Sequence, residues 1–264
     1  MRRGAIEKGR GEDNMRNHAK RKVPIAIKLL LAVLAVAVLL GGGLFAKMQY
    51  EQSIMTPLAT GEVIPGIYAV NNGFVNCYLA GQGDEYLMID AGNDIRQTKA
   101  ALEQLDISPD AVKAVFLTHS DSDHAAALSL FPDAQVYLPA LETQMIDGTT
   151  KRSPMGYNQL DREYIPLEDG AVITSAGFHV RCISTPGHTP GSMSFFVDGR
   201  YLFVGDTMSL HNGKADLFNG FYNMDSAAQE ESIRNLATTT QPEYIFTGHY
   251  GHTDDVDAAY EAWR

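Results

Sequence analysis

The sequence predicts an α+β fold of two βα halves whose sheets pack face to face with helices outside, preceded by one membrane-spanning helix. Three observations predict it. Over residues 61–264, short β-rich runs bounded by Gly and Asn alternate with runs of helical spacing, a pattern whose apolar faces are buried most simply as stacked layers. The order of strands first, then mixed strand and helix, begins again near Ala171. Ahead of all this, residues 29–46 carry no charge at all.

The N-terminus is read first. Residues 1–28 hold nine Lys or Arg against three acids, a net +6 within an overall charge of −11. With residues 23–27 and a Lys28 that can snorkel, the apolar run suffices to cross a bilayer as a helix. The expected order is a basic cytoplasmic tail (1–22), a signal-anchor (23–46), a linker without clear period (47–60) and a body at 61–264. The positive flank should stay in the cytoplasm and the body outside. Cleavage after Ala46, giving a secreted protein, is the competing reading, because residues 29–40 also make an acceptable signal-peptide core. Without its basic segment the remainder carries −17, which disfavours nucleic acid as a partner.

In the body, residues 63–70, 74–80 and 85–90 read as strands, and 95–105 as a helix with Leu102 and Leu105 on one face. Further strands are expected at 114–117 and 134–138, then a short helix at 141–146. The polar stretch 149–161, with Pro154 and Gly156, reads as a loop. Strands resume at 171–174, 179–184, 193–197 and 201–204, followed by a helix at 227–237 and a strand at 244–246. Residues 148–162 and 208–226 read as pocket loops. Cys77 and Cys182 lie in apolar strand-like runs and read as buried thiols; whether they pair is left open.

The chemistry concentrates in residues 116–128, F-L-T-H-S-D-S-D-H-A-A-A-L. His119, Asp121, Asp123 and His124 follow a strand and precede an Ala/Leu-rich helical run, and imidazole with carboxylate is the ligand set of a hydrolytic divalent metal. The ordinary reading is an N-cap, since Ser and Asp oxygens accept from free helix N–H groups. Three later features argue for ligands. His188 stands between two Pro/Gly pairs in S-T-P-G-H-T-P-G-S (184–192), Asp206 in G-D-T (205–207) follows an apolar strand, and His249 ends the strand at 244–246. Alone, each is an ordinary loop histidine or turn aspartate; together they place four chemically competent stretches at strand ends.

These motifs, in this order and with I-D-A-G at 89–92, resemble the metallo-β-lactamase-fold hydrolase superfamily over residues 62–252. The resemblance implies a four-layer αβ/βα sandwich with two metals between the sheet ends. It implies that His119, Asp121 and His188 hold one metal, that Asp123, His124 and His249 hold the other, that Asp206 bridges, and that Asp90 supports the ligands from outside. Asp121 departs from the usual H-x-H-x-D-H, which puts zinc at the first site in doubt in favour of manganese or iron. Asp206 stands where enzymes that destroy β-lactams typically carry cysteine, so the pattern is closer to thioesterases, lactonases and phosphodiesterases. Only residues 250–264 follow His249, too few for the helical domain with which glyoxalase II holds glutathione thioesters, and no flavodoxin module is present.

The function so implied is a membrane-anchored dinuclear hydrolase. A hydroxide shared by two divalent cations would attack an ester, thioester, lactone or phosphodiester, with Asp123 as the catalytic carboxylate that orients it. Two rivals stand beside it: a di-iron redox enzyme with a separate electron donor, and a non-catalytic metal-binding domain. His179 fits a strand alternation and reads as structural, and His211, His252 and Tyr222 read as surface groups, with a place along the cleft as the alternative. Substrate and oligomeric state are not encoded in any motif found.

Overall fold

The structure, a computed structural model, describes residues 24–152 and 156–264. The basic residues of the expected tail, positions 1–22, and Pro154 lie outside the described residues. The chain divides between Tyr50 and Glu51 into two compact units. Helix α1 (Ile25–Ser53) has no buried residue and is long and apolar enough to cross a membrane. It does not stop at Ala46. Lys47, Met48, Gln49, Glu51 and Gln52 are good helix formers with no Gly or Pro among them, so the first half of the expected linker is helical.

Among the described residues, the second unit contains two large sheets and a two-stranded one. The first runs in chain order through β1 (Gly61–Ile64), β2 (Ile67–Asn72), β3 (Val75–Gln82), β4 (Glu85–Ile89), β5 (Val112–Phe116), β6 (Gln135–Pro139) and β7 (Ile165–Leu167). Its first four strands pair antiparallel and the rest are parallel. Parallel neighbours need a crossover. Helix α2 (Ile95–Gln104), capped by Asp94, supplies the one between β4 and β5. Two short helices, α3 (Ser122–Ala125) and α4 (Thr143–Ile146), follow β5 and β6.

The second sheet contains β8 (Val172–Ser175), β9 (Phe178–Ser184), β10 (Met193–Val197) and β11 (Tyr201–Phe203), then β14 (Tyr244–Phe246) and β15 (His252–Thr253). A hairpin, β12 (Met208–His211) with β13 (Lys214–Leu217), and helix α5 (Ser226–Thr239) intervene. Strand β14 pairs parallel with β11. Helix α6 (Val256–Tyr260) follows β15.

Strand alternation sorts the core into three layers. From β3 and β5, Tyr78, Ala80, Ala114 and Phe116 meet Phe195, Phe203 and Phe246 of the second sheet. Their neighbours Cys77, Leu79, Val115 and Leu117 face outward to Ala101 and Leu102 of α2. On the far side, Phe196, Leu202 and Ile245 pack on Ile233 and Leu236 of α5 and on Tyr260 of α6. The order is therefore helix, sheet, sheet, helix, as expected. Each fully buried Phe here stabilises the stack by about 1.5–3 kcal/mol. Cys77 faces α2 and Cys182 faces between the sheets, so the first sheet separates them and both are free thiols.

Several expectations need correction. The run at 63–70 is two strands, because Gly66 at φ +82° turns the chain between β1 and β2. The Ala/Leu-rich run after His124 is not a helix of any length: α3 ends at Ala125 and a 3-10 turn follows at Leu128–Leu130. The segment 208–226 is not all loop, since it holds the β12–β13 hairpin. Strands β7 and β15 and helix α6 are too short for periodicity to register.

Candidate metal centre

The chemistry-bearing residues sit at the C-terminal ends of β4, β5, β9, β11 and β14. Asp90 follows β4, and the 118–124 turn follows β5. His188 lies in the loop after β9, Asp206 just after β11, and His249 just after β14. Two glycines permit the close approach. Gly205 adopts φ +51°, where a Cβ would strike Thr118 Oγ1 at 2.5 Å, and a Cβ on Gly248 would come within 2.5 Å of Asp206 Oδ1. Here only glycine fits.

All seven expected ligands converge. One ligand atom each of His119, Asp121 and His188, and likewise of Asp123, His124 and His249, lie within 4.8 Å of one another; so do those of His119, His124 and Asp206. Asp206 faces both triads: its Oδ2 is 3.4 Å from His188 Nε2 and 3.2 Å from His249 Nε2, and its Oδ1 is 3.5 Å from His124 Nε2. Asp123 Oδ2 lies 3.7 Å from His124 Nε2 and 3.6 Å from His249 Nε2.

Every histidine of the cluster turns Nε2 to the centre and spends Nδ1 elsewhere. His124 Nδ1 meets Asp90 Oδ2 at 2.8 Å, and His249 Nδ1 donates to the Phe74 carbonyl at 2.7 Å. His119 Nδ1 lies 3.0 Å from Thr118 Oγ1, which itself donates to Asp90. His188 Nδ1 is 3.3 Å from Asn223 Oδ1. Such outer partners fix ring orientation and tautomer in metal sites. Asp90 holds its place in the left-handed region, φ +58°, a conformation that aspartate tolerates better than most side chains.

The donor set fits divalent cations. Nε2 of His119, Nε2 of His124 and Oδ1 of Asp206 are buried without a hydrogen-bond partner, a state that costs about 1–3 kcal/mol per group unless something else meets it. Charge is high as well. Burial opposes ionisation of Asp206, but His249, His124 and His188 hold its carboxyl well below the usual range. Burial also opposes charge on His124, yet Asp206, Asp90 and Asp123 push it well above the ordinary imidazole value.

Beside the cluster lies a cavity of about 240 Å³. Phe74 stacks on His249 at 5.7 Å between centroids, and Phe218 meets the edge of His188 at 5.1 Å. Gln52, Met55 and Arg152 also line this cavity. Tyr222 also lines the cavity, the alternative to its reading as a surface group. His211 is exposed with its ring 5.0 Å from Tyr250, and His252 is half-buried against Phe246. His179 is an exposed residue of β9, 3.6 Å from Asp198.

Three residues near the centre escaped the sequence reading. Buried Glu142 accepts from Ser120 N–H, Ser120 Oγ, Thr189 Oγ1 and Gly191 N–H, and so clasps the loop of Asp121 to that of His188. Arg152 and Asn158, from the 148–162 loop, both reach Asp121. No spacing rule links positions so far apart in sequence; an acid opening a short apolar helix and a basic residue in a polar loop are ordinary features.

Comparison with known proteins agrees with this geometry. The family model described as metallo-beta-lactamase superfamily matches residues 70–249, more than half of the chain. The chain belongs to that superfamily. Among curated relatives of this metallo-beta-lactamase-fold chain, a probable polyketide biosynthesis zinc-dependent hydrolase of Bacillus velezensis is 31% identical over 46% of this chain and 49% of the relative. A hydroxyacylglutathione hydrolase of Aeromonas hydrophila is 29% identical over 69% of this chain and 62% of the relative. The chain thus spans less than two thirds of either. A solved metallo-beta-lactamase family protein from Thermus thermophilus superposes with a TM-score of 0.57 at 22% identity, covering 76% of this chain and 79% of that one, which speaks to the fold alone.

Proposed function

We propose that this chain is a membrane-anchored, dinuclear metal-dependent hydrolase. The observation that carries the reading is the convergence of four imidazoles and three carboxylates from four strand ends, with His119 Nε2, His124 Nε2 and Asp206 Oδ1 buried and without a hydrogen-bond partner. His119, Asp121 and His188 would hold one divalent cation, Asp123, His124 and His249 the other, and Asp206 both. When bound, such cations make water nucleophilic near neutral pH and polarise the oxygen of the group attacked. Asp123, the most exposed of the cluster's carboxylates, faces the cavity and orients the attacking water. Asp90 keeps His124 in the tautomer that presents Nε2 inward. Phe74, Phe218 and Met55 exclude bulk water from one side of the reacting group.

The substrate is a small molecule carrying an ester, thioester, lactone or phosphodiester; the likeness to a hydroxyacylglutathione hydrolase puts thioesters first on the panel. The test is metal analysis of the intact protein in detergent, followed by that panel with zinc, manganese and iron restored separately. Turnover that appears with metal and vanishes with chelator supports the reading. Absence of bound metal under all three restorations overturns it.

Residues 23–46 serve as the anchor, residues 1–22 as a cytoplasmic tail, and residues 61–264 as the hydrolase domain outside. A reporter fused after Arg264 that is active only outside the cytoplasm should be active. If cleavage replaces anchoring, the mature chain should begin at Lys47.

A further inference from the structure

Asp121 stands where the family's usual motif has a neutral histidine, and by itself it would add one negative charge to a site that already holds Asp123 and Asp206. The structure sets a cation against it. Arg152 Nη2 lies 2.6 Å from Asp121 Oδ2 and Nε donates to Oδ1 at 3.1 Å, a two-pronged pairing. The same guanidinium donates through Nη2 to the His188 carbonyl at 3.1 Å and through Nη1 to the Tyr222 carbonyl. Asn158 Nδ2 adds a bond to Asp121 Oδ1 at 2.7 Å.

The lone pairs decide what remains. An ionised carboxylate offers about four acceptor positions. Arg152 and Asn158 take both on Oδ1 and one on Oδ2, which leaves Oδ2 to face His188 Nε2 at 3.2 Å and His119 Nε2 at 3.5 Å. We propose that Asp121 and Arg152 act as one neutral, two-pronged unit in place of a histidine, presenting a single oxygen to the first metal position and cancelling the charge that the carboxylate would add. This rests on the metal reading of the same site. Arg never loses its proton in a protein, so the cancellation holds at every working pH. Its fork also fixes the carboxylate plane, which a lysine could not do. The consequence reverses the sequence expectation: the first position has the net charge of an imidazole set, so zinc is preferred there over manganese or iron.

The experiment uses the intact protein in detergent and the variants Asp121→His, Arg152→Gln and the double. Zinc stoichiometry and affinity are read by competition with a chromophoric chelator, and melting temperature is read on the metal-free protein. Asp121→His alone leaves Arg152 facing imidazoles and a dication. It should lose about 10–100-fold in first-site zinc affinity, the scale on which outer partners tune metal ligands. The double variant should recover to within about threefold of wild type, because the histidine no longer faces a cation. Arg152→Gln alone should lower the zinc-over-manganese preference about tenfold, since an uncompensated carboxylate favours the harder ion. Asp121→His binding zinc as tightly as the double variant overturns the proposal. So does an unchanged metal preference in Arg152→Gln, which serves if Asp121→His fails to fold. If no protein binds metal, the metal reading fails and melting decides the pairing: Arg152→Gln must then destabilise wild type and stabilise Asp121→His, and equal effects in both backgrounds refute it.

Discussion

Five of the seven proposed ligands fall into two groups by what supports them. His119, His124 and His249 lean on the scaffold: Asp90 at the end of β4 holds His124 directly and His119 through Thr118, and a main-chain carbonyl holds His249. Asp121 and His188 lean on the outer loops instead, through Arg152, Asn158 and Asn223. Strand ends packed between two sheets move little, because interiors are close-packed, whereas loops are where sequence and conformation vary. The difference teaches that one half of the site is fixed by the fold and the other is set by loop residues, and the departure at Asp121 falls in that second half.

Asp206 faces members of both groups, so its loss should cost most. Asp206→Ala should lower bound metal from two toward one per chain and cut turnover by about a thousandfold or more, the scale expected when activated water is lost. Two retained metals with near-normal turnover would remove Asp206 from the centre. Asp90→Asn tests the scaffold half. It should weaken metal binding about 10–100-fold through His124 and His119, measured by chelator competition, while leaving the Asp121–Arg152 coupling intact; loss of that coupling would mean the halves are not separately supported.

Acidity gives a smaller, graded effect. In the metal-free protein, Asp206, Asp90 and Asp123 outweigh burial and raise the His124 pKa well above its ordinary 6.5. The charged ring therefore stabilises the metal-free fold below pH 6.5, and this is lost as pH rises through the raised value. A metal needs the neutral ring, so the sign reverses for binding: affinity should rise with pH by up to about tenfold per unit for each proton displaced. Calorimetric heats that vary with buffer ionisation enthalpy would show that release, and heats independent of buffer would contradict it. The smallest effect belongs to the loop half. Asn223→Ala removes one long hydrogen bond to His188 and should weaken metal binding roughly threefold, toward the low end of a single net hydrogen bond. A loss above a hundredfold would make His188 as dependent on its support as His124.

The same division explains what is legible in the sequence. The layered sandwich is legible because alternating runs such as Cys77–Tyr78–Leu79–Ala80 send neighbours to opposite faces. The seven proposed ligand positions are legible because each sits in a short motif just beyond an apolar run. Arg152, Asn158 and Glu142 are not, since their roles arise from contacts between loops 22 to 49 residues apart in sequence, over which no local period extends. The β12–β13 hairpin escapes for a different reason: Ser209, Lys214 and Asp216 alternate with apolar residues too briefly to stand out from a loop.

The central claim is that the strand ends hold two metals on one shared carboxylate. The most direct measurement is equilibrium dialysis of the chelator-stripped, intact protein against zinc, with bound zinc counted per chain in wild type and Asp206→Ala. The account predicts two equivalents in wild type and at most one tightly bound in the variant. One equivalent or none in wild type, or two equally tight equivalents in both proteins, would contradict it.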